Sequence, residues 1–224
     1  GESGLAVVLD RNLMLCHWHR GRMDLAEGSF ARAMATIPDP GGKAGRLEEA
    51  WLRANRGLML TSRARLAEAL AEHERARALF EDLGQRESLR RQEHNLGHLC
   101  LAMGDHGRAL THFYAGLALA DAEGLALPRG LVLANIARCH LALGCATDGV
   151  TEAREALAIL RHQGADAEAL RCSLTLAQGL STIGIAEAAD EAEQILLACL
   201  SDPRLPELYA HDGMVRLELA ELAL

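Results

Sequence analysis

The sequence predicts an all-α protein built from repeated helix pairs, and three observations carry that prediction. Alanine and leucine dominate while aromatic residues make up only 3 %, a composition that favours close-packed helices over sheets. Apolar residues recur at helical spacing, as in Ala109, Phe113, Leu117 and Ala120. Two series of glycines, each spaced by 40 residues, mark two turns per repeat: Gly104, Gly144 and Gly184, and then Gly84, Gly124 and Gly164.

The helices are expected between these turns, in pairs. The first helices of the pairs are predicted at about 4–20, 45–62, 86–103, 128–143 and 166–183. The second helices are predicted near 23–36, 65–82, 105–123, 146–162 and 186–200, and 205–224 would open an incomplete sixth pair. Gly21 and Ala64 should occupy the inner turns of the first two pairs, and the three extra residues between them fall in the loop 37–42.

A family resemblance rests on the third repeat. Asn95-Leu96-Gly97-His98 is followed by Gly104, Ala109 and Phe113, an order and spacing that resembles the tetratricopeptide (TPR) family. The other repeats keep parts of the pattern: Gly21, Ala26, Phe30 and Ala33; Gly57, Ala69 and Ala76; Ala137, Gly144 and Ala156; Ala177, Gly184 and Ala189. The 40-residue period looks like the variant found in kinesin light chain, cell-polarity scaffolds and bacterial regulators.

The resemblance implies a right-handed α-solenoid of five antiparallel helix pairs plus a partial sixth, forming one domain over residues 1–224. The repeats would span about 4–36, 45–83, 86–123, 128–163 and 166–200, with the extra helix at 205–224. The C-terminus stops inside a helical pattern, which predicts a piece of a longer protein. In such a solenoid the first helices line the concave face, so function is expected there.

Composition narrows the classes of function. The net charge of −8 argues against direct binding of nucleic acid or an anionic membrane. No apolar run approaches a membrane span and no signal pattern opens the chain, so we expect a cytoplasmic protein. The six cysteines lack a C-x-x-C pair and are expected to be small buried side chains.

Motifs of catalysis are not found. His94 and His98 have the spacing of two metal ligands, but Asn95 stands where the metalloprotease signature needs a glutamate. Residues 40–44 (Pro-Gly-Gly-Lys-Ala) lack the phosphate-loop pattern and follow no predicted strand. We therefore expect no enzyme activity, no metal and no cofactor.

Four asparagines share one register of the first helices. Asn12, Asn55, Asn95 and Asn135 each stand two residues before the packing position of their pair, while Thr175 breaks the series in the fifth repeat. Asparagine is unfavourable inside helices, so the register needs a reason. A carboxamide both donates and accepts hydrogen bonds and suits the backbone of an extended peptide, a role that the resemblance also implies. The alternative is that these amides cap or bridge neighbouring helices.

Basic and polar residues flank the asparagines within one or two turns: Arg11, His19, Trp51, Arg91, His94, His98, Arg138, Arg171 and Gln178. Many acidic residues instead fall on the second helices, as in Glu68, Glu72, Glu152 and Glu191. This segregation predicts a groove that prefers an acidic segment or a C-terminal carboxylate. The alternative is that Arg91 and Arg171 only solvate the ends of helices.

These patterns predict a non-catalytic scaffold that holds a protein or peptide segment in its concave groove. The alternative is a sensor or regulatory module of a bacterial transcription activator, which binds an effector or an attached ATPase domain. A lysine-poor composition, with Lys43 the only lysine, fits that alternative. A homodimer through the exposed solenoid ends, with Leu217, Ala220 and Leu222 at one of them, is a third expectation.

Overall fold

The computed structural model describes residues 2–204, with side chains from residue 4, and this part of the chain consists of ten helices and their turns. The first helices of the pairs are α1 (Glu2–His19), α3 (Lys43–Thr61), α5 (Arg86–Ala102), α7 (Ala126–Ala142) and α9 (Asp166–Ile183). The second helices are α2 (Met23–Thr36), α4 (Leu66–Asp82), α6 (His106–Ala122), α8 (Ala146–His162) and α10 (Ala186–Leu200). All ten agree with the sequence prediction to within two residues at each end. The helix predicted at 205–224, including Leu217, Ala220 and Leu222, lies outside the described residues.

The chain divides into two compact units. Unit 1 spans Gly1–Gly104 and holds α1 to α5, which are two helix pairs and the first helix of the third. Unit 2 spans Asp105–Leu224 and holds α6 to α10 in its described part. The single domain expected over 1–224 stays a prediction.

A left-handed residue follows most helices. After α1 the φ of Gly21 is +72°, and the amides of Gly21 and Arg22 donate to Trp18 and His17 carbonyl oxygens, both at 2.8 Å. These two bonds satisfy carbonyls that the helix end leaves free. Ala64 adopts the same conformation after α3, with φ +56°, although its Cβ makes this unfavourable. The inner turns predicted at Gly21 and Ala64 are confirmed.

One predicted packing position is wrong, in the fifth pair. Ala189 is exposed, whereas Ala188 and Ala192 are buried against the core of unit 2. The residue before the helix explains the shift. Ile185 is extended, with ψ 147°, while the matching Cys145 before α8 has ψ 61°. The first turn of α10 therefore starts in a different orientation, and its buried face moves by one residue.

The core of unit 1 depends on a close approach of α3 and α4. The buried imidazole of His73 lies where a side chain at Gly57 would stand, because an added Cβ would be 2.7 Å from ring atoms of His73. The Nδ1 of His73 is 2.8 Å from Oε1 of Gln92 on α5, so it donates to that oxygen. Burial of the ring lowers the pKa of His73, against the opposing effects of Gln92 and Glu72, and its Nε2 has no hydrogen-bond partner.

Small residues dominate the core of unit 2 in the same way. Ala137, Ala153, Ala156 and Ala177 are fully buried where α7, α8 and α9 meet. A Cβ added at Gly179 would lie 2.7 Å from a methyl group of Val150. The aliphatic side chains around these positions fill the remaining volume, so neighbouring helices lie close together.

Four of the six cysteines are buried, as expected, and two are not. Cys100, Cys139, Cys172 and Cys199 lie in the core, whereas Cys16 and Cys145 are exposed. Burial raises the pKa of Cys172 to about 12 and that of Cys199 to about 11. These two thiols stay protonated and unreactive at neutral pH.

Gly57→Ala tests the close approach of α3 and α4. We expect it to lower the free energy of unfolding by about 1–3 kcal/mol, the usual cost of overpacking a core. Gly28→Ala is the matched control. A Cβ at this position meets only an ordinary contact at 3.7 Å, and alanine is more stable than glycine inside a helix. Urea unfolding of both variants, followed by circular dichroism, measures the difference. Equal stability of the two would contradict the packing seen at Gly57.

The buried His73 predicts a loss of stability in mild acid. Below the ordinary histidine pKa of about 6.5 the unfolded chain binds a proton that the folded chain does not take up at His73. The free energy of unfolding should fall by up to about 1.4 kcal/mol per pH unit until the lowered pKa is reached. Urea midpoints between pH 7.5 and 5 measure this slope.

The control for that measurement is His73→Leu combined with Gln92→Leu, which removes the buried polar pair together. The slope should become shallower in this variant, while other groups such as His94 keep their own contribution. An unchanged slope would show that His73 does not titrate differently in the two states.

Candidate functional site

Three of the predicted asparagines form one surface of unit 1. The helices α1, α3 and α5 lie side by side, since α3 contacts both of the others, and they carry Asn12, Asn55 and Asn95. Asn12 is exposed and the other two are half-buried. No hydrogen bond engages these three carboxamides within the described residues. We call this surface, defined by Asn12, Asn55 and Asn95, the Asn face.

The fourth asparagine is different. Asn135 lies on α7 in unit 2 and is 8 % exposed. Its Nδ2 donates to the Leu131 carbonyl oxygen at 3.1 Å, and its Oδ1 accepts from Arg138 at 3.4 Å. At the same register of α9, Thr175 is buried and donates to the Arg171 carbonyl oxygen at 3.2 Å. In unit 2 this register therefore serves bonds within each helix.

Two of the flanking residues of the Asn face are engaged in the fold. The guanidinium of Arg11 is 2.6 Å from a carboxylate oxygen of Glu48, which joins α1 to α3. Trp51 packs edge-to-face on Phe80, with ring centroids 5.1 Å apart. His19 is exposed at the end of α1 and stacks on Trp18 at 4.9 Å.

Histidines and one arginine lie along the α5 side of the Asn face. The Nε2 atoms of His94 and His98 are 3.3 Å apart. Burial, and after it the charge of Arg90, lowers the pKa of His94. Arg91 is exposed one turn before Asn95. Among the described residues no group of three or more His, Cys, Asp or Glu side chains is placed to hold a metal ion.

The remaining predicted residues lie in unit 2. Arg138 bonds to Asn135 as described above, and Arg171 pairs with Glu168 at 3.3 Å one turn earlier on α9. Gln178 is half-buried on the same helix. The predicted residues therefore fall into a set in unit 1 around the Asn face and a smaller set in unit 2.

A charge network in unit 1 was not predicted. Glu72, one of the acidic residues noted on the second helices, is only 4 % exposed. Its two carboxylate oxygens accept from Arg53 at 3.1 Å and from Arg56 at 3.0 Å. Arg56 also donates to Glu27 at 3.0 Å, so the network joins α2, α3 and α4. The helical spacing of the buried positions Ala69, Glu72 with His73, Ala76 and Phe80 is the signal that would have found it.

Burial alone would lower the pKa of Arg53, but its bonds to Glu49 and Glu72 outweigh that effect and raise it. Arg53 therefore stays charged at neutral pH, although it is largely shielded from water. Such a network fixes the relative orientation of the helices through hydrogen bonds rather than through net charge.

A second polar cluster, also not predicted, lies in unit 2 on α6, α7 and α8. The Nδ1 of His140 is 2.7 Å from Glu152, and the Tyr114 hydroxyl donates to the other oxygen of Glu152 at 3.3 Å. Burial raises the pKa of Glu152 against the opposing effect of His140. The carboxylate of Glu152 is engaged by both neighbours, so the cluster joins three helices.

Solved structures of known proteins are similar to this chain in fold. A putative kinesin light chain of Podospora anserina, with nearly identical TPR-like repeats, matches with a TM-score of 0.67 and 16 % identity over 95 % of this chain and 99 % of that one. The apo form of RapI matches with a TM-score of 0.79 and 13 % identity over 97 % of this chain and 83 % of that one.

A third similar structure is the signal transduction ATPase (STAND) protein with a tetratricopeptide repeat sensor from Pyrococcus horikoshii. Its TM-score is 0.68 at 14 % identity, and the match covers 96 % of this chain but only 35 % of that one. No protein-family model and no curated protein matches the sequence. The likenesses show that the fold is that of a TPR-like α-solenoid, which confirms the predicted fold class. No helix in the described part is long and apolar enough to cross a membrane.

Glu72→Gln tests the charge network. Removing the carboxylate charge leaves Arg53 and Arg56 without their shared partner. Loss of one member of a buried ion pair lowers the free energy of unfolding by about 3 kcal/mol or more. We expect a clear drop in the urea midpoint. Glu68→Gln on the same helix is the control, since its pair with Arg65 is exposed on both sides and its loss should change little. A midpoint for Glu72→Gln as high as that of the control would show that the network does not stabilise the fold.

Proposed function

We propose that this protein is a non-catalytic scaffold that binds an extended segment of a partner protein across the Asn face. One observation carries the proposal: Asn12, Asn55 and Asn95 stand at one register of three adjacent helices, and the fold does not use their carboxamides. The amide atoms of Asn55 and Asn95 are not among the buried, unbonded side-chain atoms of the described residues, so they reach solvent and are accessible to a ligand. A partner backbone that passes along the Asn face could bond to them, because each carboxamide can donate to a carbonyl oxygen and accept from an amide.

The dimensions suit an extended peptide. Neighbouring packed helices lie about 8–10 Å apart, so three of them present carboxamides over roughly 20 Å. An extended chain rises about 3.3 Å per residue. A segment of roughly six or seven residues would therefore reach all three asparagines.

Fewer cationic side chains are available to a ligand at the Asn face than the sequence predicted. Arg11 is paired with Glu48, which removes one cation from those available to a ligand. Arg91, one turn from Asn95, and His98 are exposed on α5. We propose that an acidic residue of the bound segment lies toward α5.

The comparison structures favour a second candidate function. One of them is a STAND protein in which tetratricopeptide repeats form a sensor. By analogy, this chain would be a sensor or regulatory module that binds an effector or an attached ATPase domain. In either role we propose a cytoplasmic location, which fits the absence of disulfides among six described cysteines.

Alanine at both Asn55 and Asn95 should weaken binding of the partner about tenfold without unfolding the protein. Each lost hydrogen bond contributes about 0.5–1.5 kcal/mol. The measurement is a pull-down from lysate of the source cell with intact protein and with the double variant, followed by titration of the captured partner. Asn135→Ala is the control, because that amide is bonded within its own helix and its loss should leave capture unchanged.

Equal affinity of the intact protein and the Asn55→Ala, Asn95→Ala variant would rule out the Asn face as the binding site. The sensor function would be supported if a nucleotide-binding module or a helix-turn-helix domain were found in the same polypeptide as this chain. In that case the titration is repeated with the isolated ATPase domain in place of lysate.

A further inference from the structure

A cavity of about 630 Å³ lies in unit 1 at the inner turns of the first two helix pairs. One wall comes from the turn between α1 and α2 and the first residues of α2, and the other from the turn between α3 and α4. The residues that line it are Gly21, Arg22, Met23, Asp24, Leu25, Arg63 and Arg65. We call this cavity the basic recess.

The cations of the basic recess are unusual in this chain. Most arginines in the described residues pair with a carboxylate, as in Arg11 with Glu48 and Arg154 with Glu191. Arg22 and Arg63 are exposed and form no ion pair with any described residue. Arg20, in the same turn as Arg22, is exposed and forms none either. An acidic protein with net charge −8 thus gathers uncompensated positive charge at one place.

The other charges of the basic recess do not cancel this excess. Arg65 donates to Glu68 at 2.7 Å and its Nη1 is 3.6 Å from Glu27, so these carboxylates hold its side chain in position. Asp24 adds one negative charge to the lining. Arg22 and Arg63 remain as the groups whose guanidinium donors are available to an incoming anion.

The lining also has an apolar part. Met23 and Leu25 belong to the first turn of α2, and Leu25 is 50 % exposed. An exposed leucine beside unpaired arginines favours a ligand that combines carboxylates with an apolar side chain. The basic recess is wide open to solvent, so one large side chain and its charged neighbours can enter it.

We propose that the basic recess binds an acidic segment of a partner protein, in which an apolar residue contacts Leu25 and Met23 while flanking carboxylates pair with Arg22 and Arg63. The net negative charge and Asp24 disfavour a nucleic acid, which needs a long cationic track. The basic recess is separate from the Asn face, because it begins in the turn after His19, and His19 lies seven residues beyond Asn12, roughly 10 Å along the helix axis. The two surfaces therefore bind different parts of a partner, or different partners.

The test uses fluorescence anisotropy with the whole chain and a fluorescein-labelled pentapeptide, a leucine with two glutamates on each side. Arg22→Gln combined with Arg63→Gln should weaken binding at least tenfold. Arg75→Gln combined with Arg154→Gln is the matched control, because it removes the same net charge from exposed positions elsewhere. Its affinity should stay within about twofold. Circular dichroism checks that both double variants are folded.

Three comparisons make the outcome decisive. A peptide with glutamine in place of glutamate should bind at least tenfold more weakly, and one with alanine in place of leucine should also bind more weakly. The Asn55→Ala, Asn95→Ala variant separates the two surfaces, because binding of the acidic peptide that this variant loses and the recess variant keeps belongs to the Asn face. The proposal is overturned if the recess variant binds normally, if the glutamine peptide binds equally well, or if the asparagine variant loses binding instead. A single-stranded oligonucleotide that binds through Arg22 and Arg63 more tightly than the peptide would overturn it too.

Discussion

The close approach of neighbouring helices, made possible by alanine and glycine at their contact positions, is the constraint on which the rest of this structure depends. Gly57 gives the clearest case, because the ring of His73 occupies the space that a side chain would take. Phe80 and Phe113 are the largest fully buried side chains of the described residues. The rest of the interior is filled by aliphatic side chains and by polar groups that must find partners inside.

The internal polar groups explain how an acidic chain uses its arginines. Glu72 is surrounded by Arg53 and Arg56, and similar pairs join helices elsewhere in both units. Most arginines of the described residues therefore form ion pairs within the fold, and the unpaired arginines indicate where an acidic ligand could bind. Arg22 and Arg63 are two of these unpaired arginines. Both lie at turns between helices, and residues that bind ligands are often found on such connecting segments.

The sequence predicted the helices well because glycine marks the turns at a constant spacing. A position that must adopt positive φ is usually glycine, which is visible in the sequence. Helical periodicity then predicts where the helices lie between these turns. Ala189 shows the limit of this approach. The extended conformation of Ile185 shifted the buried face of α10, and no residue pattern around it indicated that change.

The candidate site was harder to predict, for a related reason. Register alone grouped four asparagines, but whether an amide is available depends on contacts that register does not specify, such as the bonds of Asn135 to Leu131 and Arg138. The charge of Glu72 predicts exposure, because sequence spacing does not show that Arg53 and Arg56 lie beside it in the fold. The basic recess is not predictable from the sequence, because its two walls are some 40 residues apart in the chain and come together only in the fold.

The distribution of thiols offers a practical use. Cys16 belongs to unit 1 and Cys145 to unit 2, and these two are the exposed cysteines of the described chain, while the other four are buried. A maleimide dye would therefore attach once to each unit without any engineered residue. The natural protein thus carries its own donor and acceptor positions, and energy transfer between them would report how far apart the units stand and whether a ligand changes that distance.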